Sequence, residues 1–293
     1  MSGPGNTPVV RSFHHAESGT WSHVVVDPAT RVAAIVDPVL DFDLPSGMIR
    51  TSSAQRILEY ADTAGLRVEW ILETHAHADH VSACAWLSGR TGAKVGVGAG
   101  IVEVQRTFKR LLDLGDDFPI DGTPFDRLFT DGETFPIGAL DVRVVATPGH
   151  TGDGVSYLAG DAAFVGDTLF APQSGTARCD FPGGDAATLH RSIMRLYALP
   201  ETTRVFLCHD YPAAGAEPIA EVALAMQRAG NIHVRAATAE DEYAALRRQR
   251  DATLAVPKLL WPALQINLRG GRLPPAREGR AYLKLPVAFD GSP

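Results

Sequence analysis

Thr74-His75-Ala76-His77-Ala78-Asp79-His80 places three imidazoles and a carboxylate within six residues, His75 to His80. If buried, each of these groups would need its own hydrogen-bond partner. A divalent cation meets that demand at once, because neutral imidazole nitrogens and carboxylate oxygens are its ordinary ligands. The competing reading is a solvated polar turn with chance histidines. The surroundings argue against it: an apolar run, Val68 to Leu72, precedes the motif, and a helical pattern from Val81 to Leu87 follows.

Outward from the motif, Val68 to Leu72 reads as a short buried strand with the metal motif just past its carboxyl end. Upstream, Ile57, Leu58, Ala61 and Ala64 have helical spacing, with Ser52 or Ser53 as cap and Gly65 as terminator. Further upstream, the runs Trp21 to Val26 and Val32 to Val36 form a hairpin around Asp27-Pro28-Ala29-Thr30. Downstream, Val81 opens a helix whose positive end lies near Asp79. Lys94 to Val97 is then a strand and Ile101 to Leu114 a helix. The middle of the chain, Phe129 to Thr147 and Val155 to Val165, alternates short strands with the turns Asp131-Gly132 and Gly160-Asp161. Helix returns at Ala186 to Leu199, then a strand at Arg204 to Cys208, a helix at Pro218 to Ala229 and a polar helix at Glu240 to Arg250. The order implies an α/β protein with helices packed on sheets. Pro257, Pro262, Pro274 and Pro275 mark a tail expected to wrap the body.

Bulk properties narrow the class. The 293 residues are 45% hydrophobic and 21% charged, as in a soluble globular protein. A formal charge of −7 argues against nucleic-acid or anionic-membrane partners. No apolar run reaches membrane-spanning length, and Met1-Ser2-Gly3-Pro4-Gly5-Asn6 lacks signal-peptide character. Cys84, Cys179 and Cys208 are widely spaced, so a disulfide framework is not expected and a cytoplasmic location is. Nothing beside Cys179 or Cys208 suggests an activated thiol; both read as small buried hydrophobes.

One motif needs distant partners. His150 in Thr147-Pro148-Gly149-His150-Thr151, Asp167 in Gly166-Asp167-Thr168 and His209 in Cys208-His209-Asp210-Tyr211 each follow an apolar strand, where sheets present functional loops. Together with the first motif, they resemble the metallo-β-lactamase fold. The resemblance implies an αββα sandwich of two mixed β-sheets with helices on the outer faces. It also implies a cleft with His75, His77 and His150 at one metal, Asp79, His80 and His209 at a second, and Asp167 between them.

Further segments are similar to persulfide dioxygenases, and within them to bacterial β-lactamase-hydrolase-like proteins. These are Leu72 to His80, Gly175 to Asp185 around Arg178, Phe206 to Tyr211, and Leu264 to Pro274, in a resemblance running from Val9 to Pro286. It implies one Fe(2+) per subunit, held by His75, His150 and Asp167, two histidines and a carboxylate on one face of an octahedron. Glutathione persulfide or a similar low-molecular-weight persulfide would react with O2 and water to give sulfite and glutathione. His77, Asp79, His80 and His209 would then support ligands and substrate, or hold a second metal. Arg178 would clamp a substrate carboxylate, against an ion pair with Asp180 or Asp185. Tyr211 would place its hydroxyl near the iron, and His209 and Tyr211 would serve catalysis. The alternative is a glyoxalase-II-like thioester hydrolase with two metals, Zn(2+) among them.

Residues 9–286 are expected to form a single domain, with 240–286 wrapping its core and with 1–8 and 287–293 as flexible termini. A homodimer or higher homo-oligomer is expected. Three features read otherwise. Gly96-x-Gly98-x-Gly100 lacks dinucleotide-binding spacing and reads as a loop with close backbone approach. His14-His15 reads as an exposed, solvated pair. Gly152-Asp153-Gly154 adds a charge and two glycines beside His150, which would loosen that loop or alter thiol access.

Overall fold

Val32 to Val36 shows how the layers arise. All five residues are buried, as expected of a strand covered on both faces. Val32, Ala34 and Val36 point into one apolar cluster, and Ala33 and Ile35 into another. The strand thus lies in a sheet sandwiched between a second sheet and a helical layer. A computed structural model of the chain describes residues 7–213 and 215–287. The expectation for the termini therefore falls almost wholly outside the described residues.

The first sheet runs from edge to edge as Val9–His15, Thr20–Val26, Val32–Val36, Arg67–Leu72, Lys94–Gly98 and Arg127–Phe129. Its first three strands are antiparallel neighbours and the rest pair in parallel. The second sheet runs Thr134–Ile137, Leu140–Ala146, Val155–Ala159, Ala162–Phe164, Arg204–Phe206 and Glu221–Ala223. Only the pairing of Ala162–Phe164 with Arg204–Phe206 is parallel. Val25, Leu72, Phe129, Phe135, Val144, Tyr157 and Phe206 fill the space between the sheets. Helices Ser52–Thr63, Cys84–Thr91, Ile101–Leu111 and Leu260–Asn267 cover the first sheet. Ala186–Tyr197, Leu224–Gly230 and Glu240–Asp251 cover the second. The fold is the αββα sandwich of two mixed sheets. Among the described residues, no helix is long and apolar enough to cross a membrane.

The expected hairpin forms, with Val26 opposite Ala33, and Asp27 accepts the Ala29 N–H at 3.0 Å in its turn. Four local expectations are corrected. Val81–Ser82 is a strand paired with Val39–Leu40, so the next helix starts at Cys84 and Asp79 does not sit at its N-terminus. Glu221–Ala223 pairs with Arg204–Phe206, which shortens the helix expected from Pro218 to Leu224–Gly230. In the tail, Leu260–Asn267 is a buried helix; Pro262 is tolerated because the first turn needs no intrahelical N–H donor. His14 and His15 are half-buried on the edge strand Val9–His15, where His14 packs on Trp21 and His15 bonds to Ser18.

Candidate metal centre

The ligand-type residues stand where chain turns follow strands, and two glycines make those turns possible. Gly149, just before His150, has φ +133°, and a Cβ there would lie 2.3 Å from the Leu189 nitrogen. Gly166, just before Asp167, has φ +51°, and its Cβ would lie 2.5 Å from the Thr74 hydroxyl. No L side chain fits either position without strain. The first motif is irregular backbone between Leu72 and Val81. It is held from the tail: the Asn267 side chain donates to the carbonyls of His77 and His80, both at 2.8 Å. Its oxygen accepts the Ser82 N–H at 2.8 Å.

The imidazoles are arranged so that one nitrogen of each is committed to the protein and the other is left bare. The Thr74 hydroxyl donates to Asp37 Oδ2 at 2.8 Å, so it must accept from His75 Nδ1–H at 3.0 Å. His150 Nδ1–H donates to the Arg178 carbonyl at 2.6 Å and His209 Nδ1–H to the Gly19 carbonyl at 3.2 Å. His77 Nε2 bonds to Asp37 at 3.0 Å and lies 3.3 Å from Glu73. His80 Nδ1 bonds to Asp79 at 3.3 Å. The buried atoms left without a partner include His75 Nε2, His77 Nδ1, His80 Nε2, His209 Nε2 and Asp167 Oδ1. Buried polar atoms are rarely orphaned, and the orphaned lone pairs of His75, His80, His209 and Asp167 suit a cation whose ligands are oriented by their other atoms. The residues present therefore fit a metal.

Within the cluster, Asp167 Oδ2 lies 3.9 Å from His75 Nε2 and 3.6 Å from His150 Nε2. His209 Nε2 lies 3.4 Å from Asp167 Oδ1 and 3.3 Å from Asp79 Oδ2. His75, His150 and Asp167 form one mutually close set, and His77, Asp79 and His80 another. Burial, followed by the neighbouring His77 and His150, pushes His75 well below the usual imidazole range and keeps it neutral. Burial also opposes the charges on His77 and Asp79, but their partners prevail. Asp37 and Glu73 hold His77 well above its ordinary value, and His209 and His80 hold Asp79 well below its own.

A cleft of about 310 Å³ opens on this cluster, its walls including Asp79, His150, Asp167, Arg178, His209 and Tyr211. Tyr211 is 55% exposed and its ring lies parallel to that of His209, centroids 5.7 Å apart. Arg178 is committed differently from a free clamp. Its Nε and Nη2 bond both oxygens of Asp180 at 2.6 and 2.7 Å, and its Nη1 donates to the Ala255 carbonyl at 2.6 Å. The ion pair with Asp180 is thus the observed state. Asp153, read from the chain as a loosening charge, instead ties the loop down. It is buried and accepts the Ala76 N–H at 2.8 Å, and burial raises its carboxyl above the usual range. A Cβ on Gly98 would lie 2.4 Å from the Asp153 carbonyl, the close approach expected of that glycine segment, although Gly96 and Gly98 belong to a strand. Cys84, Cys179 and Cys208 are buried and unpaired, and burial raises the thiol of Cys179 to about 12.

Sequence reasoning missed Asp37 and Glu73, misread Asp153, and marked Asn267 only as part of a segment of resemblance. Asp37 was within reach: it follows the apolar strand Val32–Val36, by the same rule that singled out Asp167. It adopts φ +49°, uncommon for a residue with a side chain, and so directs its carboxylate at both Thr74 and His77. Glu73 carries no local signal, and the segment Leu264 to Pro274 marked a resemblance without showing what Asn267 would hold.

A sandwich of two mixed sheets with imidazoles and carboxylates converging at strand ends defines a metallo-β-lactamase-fold metalloprotein. The chain belongs to the metallo-beta-lactamase superfamily, whose family model matches residues 17–209. "Glyoxylase B2" of Dictyostelium discoideum is 44% identical over 287 residues, covering 97% of this chain and 98% of that protein. The "Beta-lactamase hydrolase-like protein" of Agrobacterium fabrum is 48% identical over 97% of this chain, which spans 66% of that longer protein. The crystal structure of ETHE1 from Myxococcus xanthus superimposes with a TM-score of 0.71 at 29% identity, covering 90% of this chain and all of that one. The bovine mitochondrial persulfide dioxygenase ETHE1 is 28% identical over 213 residues, covering 72% of this chain and 71% of that protein.

Proposed function

We propose that the protein is a persulfide dioxygenase that oxidises glutathione persulfide, or a similar low-molecular-weight persulfide, with O2 and water to sulfite and the thiol. The observation that carries the reading is the convergence of His75 Nε2, His150 Nε2 and the Asp167 carboxylate at the floor of a cleft walled by His150, Asp167 and Arg178. The likeness to ETHE1 along nine-tenths of the chain supports the dioxygenase over other chemistries of the fold. His75, His150 and Asp167 would hold a mononuclear Fe(2+). When bound, such an iron supplies open positions for sulfur and O2.

The chain's own residues do the rest. The Thr74 hydroxyl and the Arg178 carbonyl keep His75 and His150 in the Nδ1–H tautomer, with Nε2 available. His77, with Asp37 and Glu73 behind it, and Asp79, His80 and His209 line the inner side of the cluster and orient what enters. Tyr211 presents its phenol beside His209 at the cleft wall. Arg178 has used three of its five N–H donors, and the remaining two would bind a substrate carboxylate.

A second reading has its own support. His77 Nδ1, His80 Nε2 and His209 Nε2 are also without partners, and the 44%-identical relative is named a glyoxylase. Under that reading, two metals, zinc among them, would hydrolyse a glutathione thioester. Oxygen uptake and sulfite formation from glutathione persulfide, measured beside thioester hydrolysis on the same iron-loaded sample, decide between the two. Hydrolysis without oxygen uptake overturns the dioxygenase.

A further inference from the structure

The half-buried His15, outside the metal cluster, is connected to it. The turn from His15 to Thr20 is pinned over the cleft edge. Gly19 N–H donates to the His15 carbonyl at 2.8 Å, the Gly19 carbonyl accepts from His209, and Thr20 forms a β-bridge with His209. The Thr20 hydroxyl lies 3.4 Å from Asp79 Oδ2 and 3.3 Å from His80 Nδ1. It also lies 2.6 Å from the Ser18 hydroxyl. Ser18 Oγ is 2.7 Å from His15 Nδ1, and His15 Nε2 is 3.4 Å from Asp41 Oδ1. The Asp41 side chain is 24% exposed and that of His15 11%, so the outer end reaches solvent.

We infer that Thr20, Ser18, His15 and Asp41 form a proton-conducting chain between the metal cleft and bulk water. Its polarity follows from the donors. The Ser18 backbone N–H donates to His15 Nδ1 at 3.2 Å, so that nitrogen carries no proton and Nε2–H faces Asp41. The Ser18 hydroxyl must then donate to His15 Nδ1, which leaves Ser18 Oγ to accept from Thr20. The Thr20 proton can point to Ser18 or back to Asp79, and after each transfer both hydroxyls and the His15 ring must turn to reset the chain. In an outward transfer, Thr20 takes a proton from the cleft and passes its own to Ser18. Ser18 passes one to His15 Nδ1, and His15 gives up its Nε2 proton toward Asp41 and solvent. No heavy-atom bond is made or broken. The groups bearing on His15 are Asp41 from the strand Val39–Asp43, Glu17 in the turn and His80 from the metal motif. Burial and then His80 lower its basicity, against Asp41 and Glu17, which suits a carrier that is neutral between transfers.

The chain has work to do under the proposed function, on which this inference rests. RSSH + O2 + H2O → RSH + SO3²⁻ + 2H⁺ oxidises the outer sulfur, reduces O2, breaks the S–S bond and releases two protons per turnover. The hydrolytic alternative, RCOSR′ + H2O → RCOO⁻ + R′SH + H⁺, releases one.

The test is H15A and S18A in the iron-loaded protein, with iron content confirmed, assayed by O2 uptake across buffer concentrations. In low buffer, kcat is expected to fall about a hundredfold, the lower end for an assisted proton transfer. It should recover with rising buffer and, for H15A, with added 4-methylimidazole, while wild type responds to neither. Unchanged kcat in low buffer overturns the relay, as does a loss that no buffer repairs. An independent readout is the imidazole ¹⁵N spectrum of the metal-free protein, with the His15 signal identified by H15Q: an Nε2–H tautomer is expected, and Nδ1–H overturns the chain. If wild type consumes no O2 but hydrolyses a thioester, the dioxygenase reading has failed, and the same variants and buffers then judge the relay on proton release.

Discussion

At His75 and His150, which nitrogen is bare matters more than how close the rings stand. Each ring is locked by a neutral acceptor, the Thr74 hydroxyl or the Arg178 carbonyl, so metal binding needs no rearrangement of tautomer. His75→Ala, His150→Ala and Asp167→Ala are expected to abolish iron retention, whereas His209→Ala should leave iron bound; metal analysis of the purified variants checks both halves. Equal iron loss in His209→Ala would favour the two-metal reading. At Arg178, loss of a charged hydrogen bond to substrate, about 1.5–3 kcal/mol, should raise KM roughly tenfold to a hundredfold with a smaller change in kcat. Steady-state kinetics of Arg178→Ala test this, and an unchanged KM would confine the guanidinium to its pairing with Asp180. The candidate residues were legible because each follows an apolar strand in a short, distinctive string. The partners that set their tautomers were not, since a backbone carbonyl such as that of Arg178 leaves no mark in side-chain chemistry.

Among the elements, the tail helix Leu260–Asn267 departs most from its sequence reading. Four prolines suggested a strap, yet Leu260, Leu264 and Ile266 enter the core over the first sheet, and Asn267 staples the metal loop. Asn267→Ala would strand the His77 and His80 carbonyls and the Ser82 N–H in a buried setting, at about 1–3 kcal/mol for each group left unpaired. A lower Tm and weaker metal binding are expected, the latter read by competition with a chelator. A variant with wild-type metal affinity would show that the loop holds its shape alone. The strands Val81–Ser82 and Glu221–Ala223 escaped detection for a related reason. Stretches of two and three residues have no measurable period, and only their pairing partners make them strands.

For the molecule as a whole, His23 links stability to pH. It is fully buried between the sheets, bonded to Ser12 at 2.9 Å and to the Leu207 carbonyl at 3.0 Å. Burial lowers it from 6.5 to about 4. Between those two pH values the unfolded chain holds the proton and the native protein does not. Stability should therefore fall as pH drops from 6.5 toward 4, by about 3 kcal/mol from this residue alone. Thermal unfolding of the metal-free protein across that range measures the loss, and His23→Gln, which keeps a donor for Leu207, should flatten it. An equally steep decline in the variant would assign the effect to other histidines. The sequence by itself determined the alternation of strands and helices and the ligand-type residues, because these are written in local periodicity and in side chains that few roles other than metal binding would gather; the sandwich class came with the resemblance those residues carry. Only the tertiary structure decided which nitrogens are bare, that Asp153 is a buried anchor, that Arg178 already holds Asp180, and that His15 communicates with the cleft. Each of those depends on a contact between distant segments, and hydrogen-bond geometry exists only once the segments are packed.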